Sequence, residues 1–295
     1  MRTPKVESVK QRLKNVTSKQ NRQFNDVLRL NFLERFLYRL SISEYKNNFV
    51  LKGGILLYAV FTDEYSRKTT DIDLLDLHIN NNANEFKEIV KKICSIQTDD
   101  PIRFDIDKIE VRNITEFKGE HHGLNVFIPA FLDNTQGRVN IDIGFGDVIY
   151  PDKVTLSFPS LIDDEPKIYA YSIETVIAEK VDAIVSLGIF NSRLKDFYDI
   201  YILSKNYDFD GVILKTAVQE TFAHRGTVFN HFDAFDEEFI SPYKKGQWKS
   251  FIRDKGSNYL IELEEIVKKV KNFVEPIIID DISHKKWSHL TEEWK

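Results

Sequence analysis

The chain has 295 residues, 42 % hydrophobic and 13 % aromatic, with 46 acidic against 41 basic side chains and a formal net charge of −5. That is material for one large domain or two ordinary ones with a packed core, and 29 % charged residues is near the globular average. No apolar run approaches bilayer length, the N-terminus lacks a signal-peptide stretch, and the single cysteine, Cys94, offers no disulfide and no metal-binding spacing, so a cytoplasmic protein without a membrane partner is expected.

The first 45 residues read as helix: Phe24, Val27, Leu28, Phe32, Leu33, Phe36, Leu37 and Leu40 recur at helical spacing with arginines between them. Residues 1–50 hold 11 Lys/Arg against 4 Asp/Glu, a local excess of +7 on an acidic chain. Such a segment fits either the solvated face of amphipathic helices or a surface for a nucleic acid or acidic partner. From about residue 48 to 160 short β-type runs follow: "NFVLKGG", "TTDIDLLDLHI", "IRFDIDKIEVRNI", "LNVFIPAFL" and "RVNIDIGF". A helix fits between Asn84 and Ile96, and "DNTQG" at 133–137 reads as a hairpin turn. Proline and acid cluster between Pro159 and Pro166, a domain boundary, and helices dominate afterwards; the stretch after Pro276 fits no single element.

Two adjacent glycines, Gly53 and Gly54, stand where the run "NFVLK" gives way to the helical "ILLYAVF". A backbone without β-carbons can approach a ligand closely, and a helix N-terminus offers amides to an anion. Asp71 and Asp73 then alternate with Ile72 and Leu74, which on a strand places both carboxylates on one side. Like charges that close resist burial unless a cation joins them, and hard Mg²⁺ takes carboxylate oxygens together with substrate phosphates. The alternative is a strand end where both acids reach water. Arg67, just before this strand, can add a phosphate contact or be an ordinary loop arginine. A two-metal site calls for a third carboxylate. Asp142 in "NIDIGFGD" is preferred, because it opposes Val139, Ile141 and Ile143 and has glycines beside it; Asp105 and Asp107 of "FDIDKIE" are its rivals.

A second anomaly is cationic. In "SIETVIAEKVDAIVSLG", Lys180 falls amid the apolar face of Val176, Ile177, Ile184 and Leu187, and in "SRLKDFYDIYIL" Asp196 shares a face with Phe197, Ile200 and Leu203, with Asp199 at its edge. Either Lys180 and Asp196 form a buried pair between two helices, or Lys180 reaches a nucleotide triphosphate while Asp196 or Asp199 orients it or a substrate. No RNA-binding module signature and no aromatic-interleaved basic run is visible along the chain.

Together "LKGG…RKTTDIDLL", "NIDIGFGD", "ETVIAEKVDAIVSLG" and "SRLKDFYDIYIL", spanning residues 51–203, resemble the AbiEii/AbiGii toxin family of nucleotidyltransferase-like proteins in the polymerase-β superfamily. The resemblance implies an α+β fold: a mixed β-sheet core flanked by helices, then a helical C-terminal domain, which with the boundary above divides the chain at 1–162 and 163–295. It implies Mg²⁺-dependent transfer of a nucleotide from an NTP, tRNA as an acceptor in some members, and a cognate antitoxin in a phage-defence or growth-control setting. Gly53 and Gly54 match the glycine motif, Asp71 and Asp73 its metal-binding acids, Asp142 the acid of the third strand, Lys180 the "AEK" lysine, and Lys195, Asp196 and Asp199 the "KDxxD" motif. Ile55 stands where wider relatives often carry a Ser or Thr that touches phosphate. Transfer to a protein or small molecule and a non-catalytic nucleotide-binding module are the alternatives.

Overall fold

The computed structural model describes residues 4–61, 69–77, 82–115, 122–255 and 261–295. They form two compact units, the first comprising residues 4–61, 69–77, 82–115, 122–146 and 154–170, the second 147–153, 171–255 and 261–295. The strand Lys167–Ala170 thus belongs to the first unit, and the short segment 147–153 to the second.

In the first unit the helices α1 (Pro4–Gln20) and α2 (Phe24–Ser41) precede β1 (Phe49–Lys52), α3 (Gly53–Val60) and β2 (Ile72–Asp76). Then come α4 (Ala83–Cys94), β3 (Ile102–Phe104), β4 (Glu110–Thr115), β5 (His122–Leu132), β6 (Thr135–Phe145), β7 (Val154–Ser157) and β8 (Lys167–Ala170). The strands form one mixed sheet in the order β3-β5-β6-β2-β1-β8-β7, with β4 also pairing β5. β2 runs parallel to β6 and β1 parallel to β8, while β1–β2 and β5–β6 are antiparallel. The run expected as one strand over "IRFDIDKIEVRNI" is broken into β3 and β4 by a 3-10 turn at Ile106–Lys108. The hairpin turn contracts to Asp133 and Asn134, because Leu132 already pairs Thr135 and Asp133 takes a left-handed φ of 56°.

Alternation along the central strands separates the two faces of the sheet. Leu124, Val126, Ile128 and Ala130 of β5 and Val139, Ile141 and Ile143 of β6 are buried, and Phe32, Leu33, Phe36 and Leu37 of α2 supply core on the helical side. α2 comes so near β6 that a β-carbon at Gly137 would lie 2.5 Å from the Phe32 ring. The opposite residues, Asn125, Phe127, Pro129 and Phe131 of β5 and Asn140 and Asp142 of β6, are half-buried, and Arg138 is exposed.

Part of the basic character of the first 50 residues serves this unit internally. Lys5 pairs with Asp99, Lys10 with Asp133 at 3.1 Å and Arg12 with Asp163 at 3.4 Å. Arg35 pairs with Glu34, and Arg39 grips Asp100 with two nitrogens at 3.1 and 3.2 Å while also donating to the Ile96 and Ile102 carbonyls. Five of the segment's cations thus face carboxylates of the same unit. Buried Glu34 also accepts from Ser160 Oγ at 2.6 Å and the Leu161 amide at 2.9 Å, tying α2 to the segment before β8. Desolvation raises its carboxyl above the usual range, partly offset by Arg35 and these hydrogen bonds.

In the second unit α5 (Ile173–Leu187), α6 (Leu194–Asn206), α7 (Gly211–Arg225), α8 (Pro242–Lys255) and α9 (Leu263–Ile279) are joined by a small sheet of β9 (Phe209–Asp210), β10 (Lys286–Ser288) and β11 (Glu293–Trp294). The ambiguous C-terminal stretch therefore begins as helix, with Pro276 inside α9, and ends as strands. Trp287 and Trp294 pack on Phe273 of α9, with ring centroids 4.8 and 5.8 Å away, and Trp287 Nε1 donates to the Ser204 carbonyl at 2.6 Å. Ser172 caps α5 by accepting from the Thr175 amide. No helix among the described residues is long and apolar enough to cross a membrane.

Candidate active site

Register brings the acids of the first unit together. Asp73 of β2 is the Cα partner of Asp142 of β6, and Ile72 and Leu74 align with Ile141 and Ile143. Adjacent strands lie about 4.8 Å apart, so the two carboxylates rise side by side from the same face. The row continues in both directions: Lys52 of β1 is the partner of Asp73, and Asn125 of β5 the partner of Asp142. Asp71 stands one pleat back, just before β2, where Asn140 Nδ2 donates to its Oδ1 at 2.9 Å and Thr70 Oγ1 bonds its Oδ2 at 2.8 Å. Asn125 Nδ2 donates to Asp142 Oδ1.

Gly53 is the hinge between β1 and α3, with φ at +66°. A β-carbon there would fall 2.0 Å from Asp73 Oδ2, so only glycine leaves room for the carboxylate. The Gly54 amide donates to that same oxygen at 3.3 Å. The glycine pair, expected from the sequence to cradle phosphate, thus seats Asp73 at the first turn of α3, where amides favour negative charge. Ile55, the departure from the wider pattern, is fully buried. Asp105 pairs with Lys108 at 3.3 Å and Asp107 lies exposed in the 3-10 turn, so the two rivals sit between β3 and β4 rather than on the row of Asp73 and Asp142. Arg67 lies outside the described residues.

Asn125 and Asn140 were not singled out from the sequence, yet each holds one of the acids. Their signal was present: each is a polar residue on a strand whose alternate positions are apolar, and Asn140 precedes Asp142 by two, the spacing that shares a face.

In the second unit Lys180 of α5 is buried, with its Nζ 2.8 Å from Asp196 Oδ1 and 2.7 Å from Asp199 Oδ2 of α6. Arg193 Nε stands 2.8 Å from the other oxygen of Asp196. The paired arrangement anticipated for Lys180 and Asp196 is therefore present, widened to two cations and two anions. Lys195 points to the exposed side of α6. Leu187, expected on the buried face, is 41 % exposed because α5 ends there and the chain turns at Gly188.

A further charged cluster escaped the sequence reading. Arg225, at the end of α7, meets Asp147 at 2.8 Å, Glu179 at 2.9 Å and Asp182 at 3.1 Å. Burial works against its charge, but the three carboxylates outweigh it and raise the guanidinium pKa further. Its partners are dispersed over the chain, so spacing carries no trace of it. Among the described residues His231, Asp233 and Asp236 are a group of possible metal-ligating side chains with ligand atoms within 4.8 Å of one another; His231 is already bonded to Asp236 at 3.0 Å.

A mixed sheet with a carboxylate row, followed by a mainly helical region, is the architecture of a nucleotidyltransferase fold. The structure is similar to MenT4, a nucleotidyltransferase toxin from Mycobacterium tuberculosis H37Rv, with 14 % identity and a TM-score of 0.51 over 86 % of this chain and 94 % of that one. It is also similar to JHP933 from Helicobacter pylori, at 13 % identity and a TM-score of 0.47 over 86 % and 91 % of the two chains. No curated protein matches the sequence. The family model described as "Nucleotidyl transferase AbiEii toxin, Type IV TA system" matches residues 35–269, and the chain belongs to that family. It is a nucleotidyltransferase family enzyme, for which an NTP substrate and an antitoxin are implied.

Proposed function

We propose that the protein transfers a nucleotide from an NTP to an acceptor hydroxyl, most favourably at the 3′ end of an RNA such as tRNA, at the face bearing Asp71, Asp73 and Asp142. The observation that carries this reading is the register match of Asp73 with Asp142, with Asp71 one pleat away.

The donor set fits the divalent cation that the family generally uses: three hard carboxylates on one sheet face suit Mg²⁺. Asp71, Asp73 and Asp142 would hold it, and it would supply charge neutralisation on the triphosphate and the transferring phosphoryl group. The protein's own contribution is positioning. The Gly54 amide and the open space at Gly53 seat Asp73, Asn125 orients Asp142, and Asn140 with Thr70 orients Asp71. With the acids fixed in this way, the acceptor hydroxyl attacks the α-phosphorus in line and pyrophosphate leaves. Asp142 is assigned to the attacking hydroxyl and to taking up its proton. Arg67 is assigned to the phosphates, and Gly53 and Gly54 serve them through the seat they give Asp73. Lys180 is assigned first to the buried cluster with Asp196 and Asp199, and the triphosphate contact is its second reading.

The test is incubation with each radiolabelled NTP and a mixture of cellular RNA, protein and metabolites. Label should enter the RNA fraction with the wild type and not with Asp71→Ala. Label in protein or metabolites instead would replace the acceptor, and undiminished transfer by the variant would refute the assignment of the acids.

A further inference from the structure

The sheet face that carries the acids continues well beyond them. Along β5 the outward positions are Asn125, Phe127, Pro129 and Phe131, and along β6 they are Asp142, Asn140 and Arg138. The two phenylalanines are only half-buried. Each carries an arginine from the neighbouring edge strand. The Arg112 guanidinium of β4 lies 5.0 Å from the Phe127 ring centroid, and that of Arg103 of β3 lies 4.2 Å from Phe131. Both arginines are exposed, as is Arg138, the cross-strand partner of Pro129. Among the described residues the carboxylates of this field are Glu110, which Arg112 holds, and Asp105, whose amide donates to the Pro129 carbonyl and whose side chain pairs with Lys108 at 3.3 Å.

We infer that this arginine–phenylalanine face is a docking track for the unpaired 3′-terminal nucleotides of a single-stranded RNA, leading to Asp142. Three observations converge on that occupant. The cationic excess, Arg103, Arg112, Arg138 and Lys108 against Glu110 and Asp105, complements a phosphate backbone. The flat guanidinium and phenyl planes offer stacking to any base, whereas an acidic peptide would engage the guanidinium groups but not the phenyl planes. At about 3.3 Å per residue, Phe127 and Phe131 are roughly 13 Å apart, a span of about two extended nucleotides. The track is continuous with the acids, since Asn140 is the partner of Phe127 and Asn125 that of Asp142. This inference rests on the nucleotidyl-transfer reading for its purpose, but its measurement does not need turnover.

The probe is a fluorescent twelve-nucleotide unstructured RNA, titrated with the full-length protein in EDTA without NTP, at several salt concentrations. The Arg103→Gln/Arg138→Gln variant should bind about tenfold more weakly at moderate salt, and its log K against log[salt] slope should be shallower by about 1.4, two single-strand phosphate contacts. Phe131→Leu keeps an apolar side chain and should weaken binding about fivefold by loss of stacking. Because binding is read without metal or NTP, failure of transfer and failure of docking are read separately. Wild-type affinity and salt slope in the double arginine variant would overturn the inference. So would equal affinity for an RNA duplex of the same length, or competition by poly-glutamate as strong as by unlabelled RNA.

Discussion

At the scale of single residues, the site turns on how closely one carboxylate can approach a helix start. Gly53 supplies a positive φ and an absent β-carbon at the spot where Asp73 sits. Gly53→Ala would add about 1–2 kcal/mol of left-handed backbone strain and push a methyl group into the carboxylate. Denaturant unfolding should register that loss of stability, and transfer should fall much further than stability does, because the displaced group is Asp73. Normal transfer by a variant destabilised as stated would show that the position of Asp73 is not critical. The acids themselves were legible in the sequence because alternation fixes sides: Asp71, Asp73 and Asp142 each interrupt an apolar run. Asn125 and Asn140 follow the same logic but carry no charge, so they present a weaker anomaly. The use of the Gly54 amide was not legible, because a Gly-Gly turn looks alike whether it faces a phosphate or the protein's own carboxylate.

At the scale of elements, α5 is held on two sides by charge. Lys180 meets Asp196 and Asp199 of α6, and Glu179 and Asp182 meet Arg225 of α7. Removing Lys180 would take from buried Asp196 and Asp199 the cation they share and leave Asp196 the largely exposed Arg193, so Lys180→Met should cost about 3–5 kcal/mol in urea unfolding. Unchanged stability with lost transfer would instead favour its triphosphate role. On α2, Glu34 allows a check by pH. Its folded-state pKa is raised, so its contribution is fully present below the unfolded carboxyl value of about 4.3 and is lost as pH climbs through the folded value. The stability of the wild type relative to Glu34→Gln should therefore decline as pH rises from about 4 and then level off; a difference that grows with pH would contradict the burial argument. The helical periods of α2, α4, α5 and α6 could be read from spacing alone. The break between β3 and β4 and the terminal strands β10 and β11 could not, because short strands are defined by partners distant in the chain.

At the scale of the whole molecule, part of the charge asymmetry visible in the composition is answered within the chain. The basic N-terminal segment answers acids of its own unit, at Asp99, Asp100, Asp133 and Asp163. The exposed arginines beside the outward aromatic rings of β5 come from β3 and β4, with Arg138 of β6 on the same face, and a linear scan for interleaved basic and aromatic residues passes over them. Family membership and fold agree on a nucleotidyltransferase; what this chain adds is the pairing of β2 with β6, which joins acids separated by 69 residues in sequence. The most direct measurement of that pairing is Mg²⁺-dependent incorporation of labelled nucleotide into cellular RNA by Asp142→Asn beside the wild type. The amide keeps the strand and its size while removing the charge, so the account predicts a cooperatively folded variant whose transfer falls by at least about a hundredfold. Incorporation at the wild-type rate would contradict it.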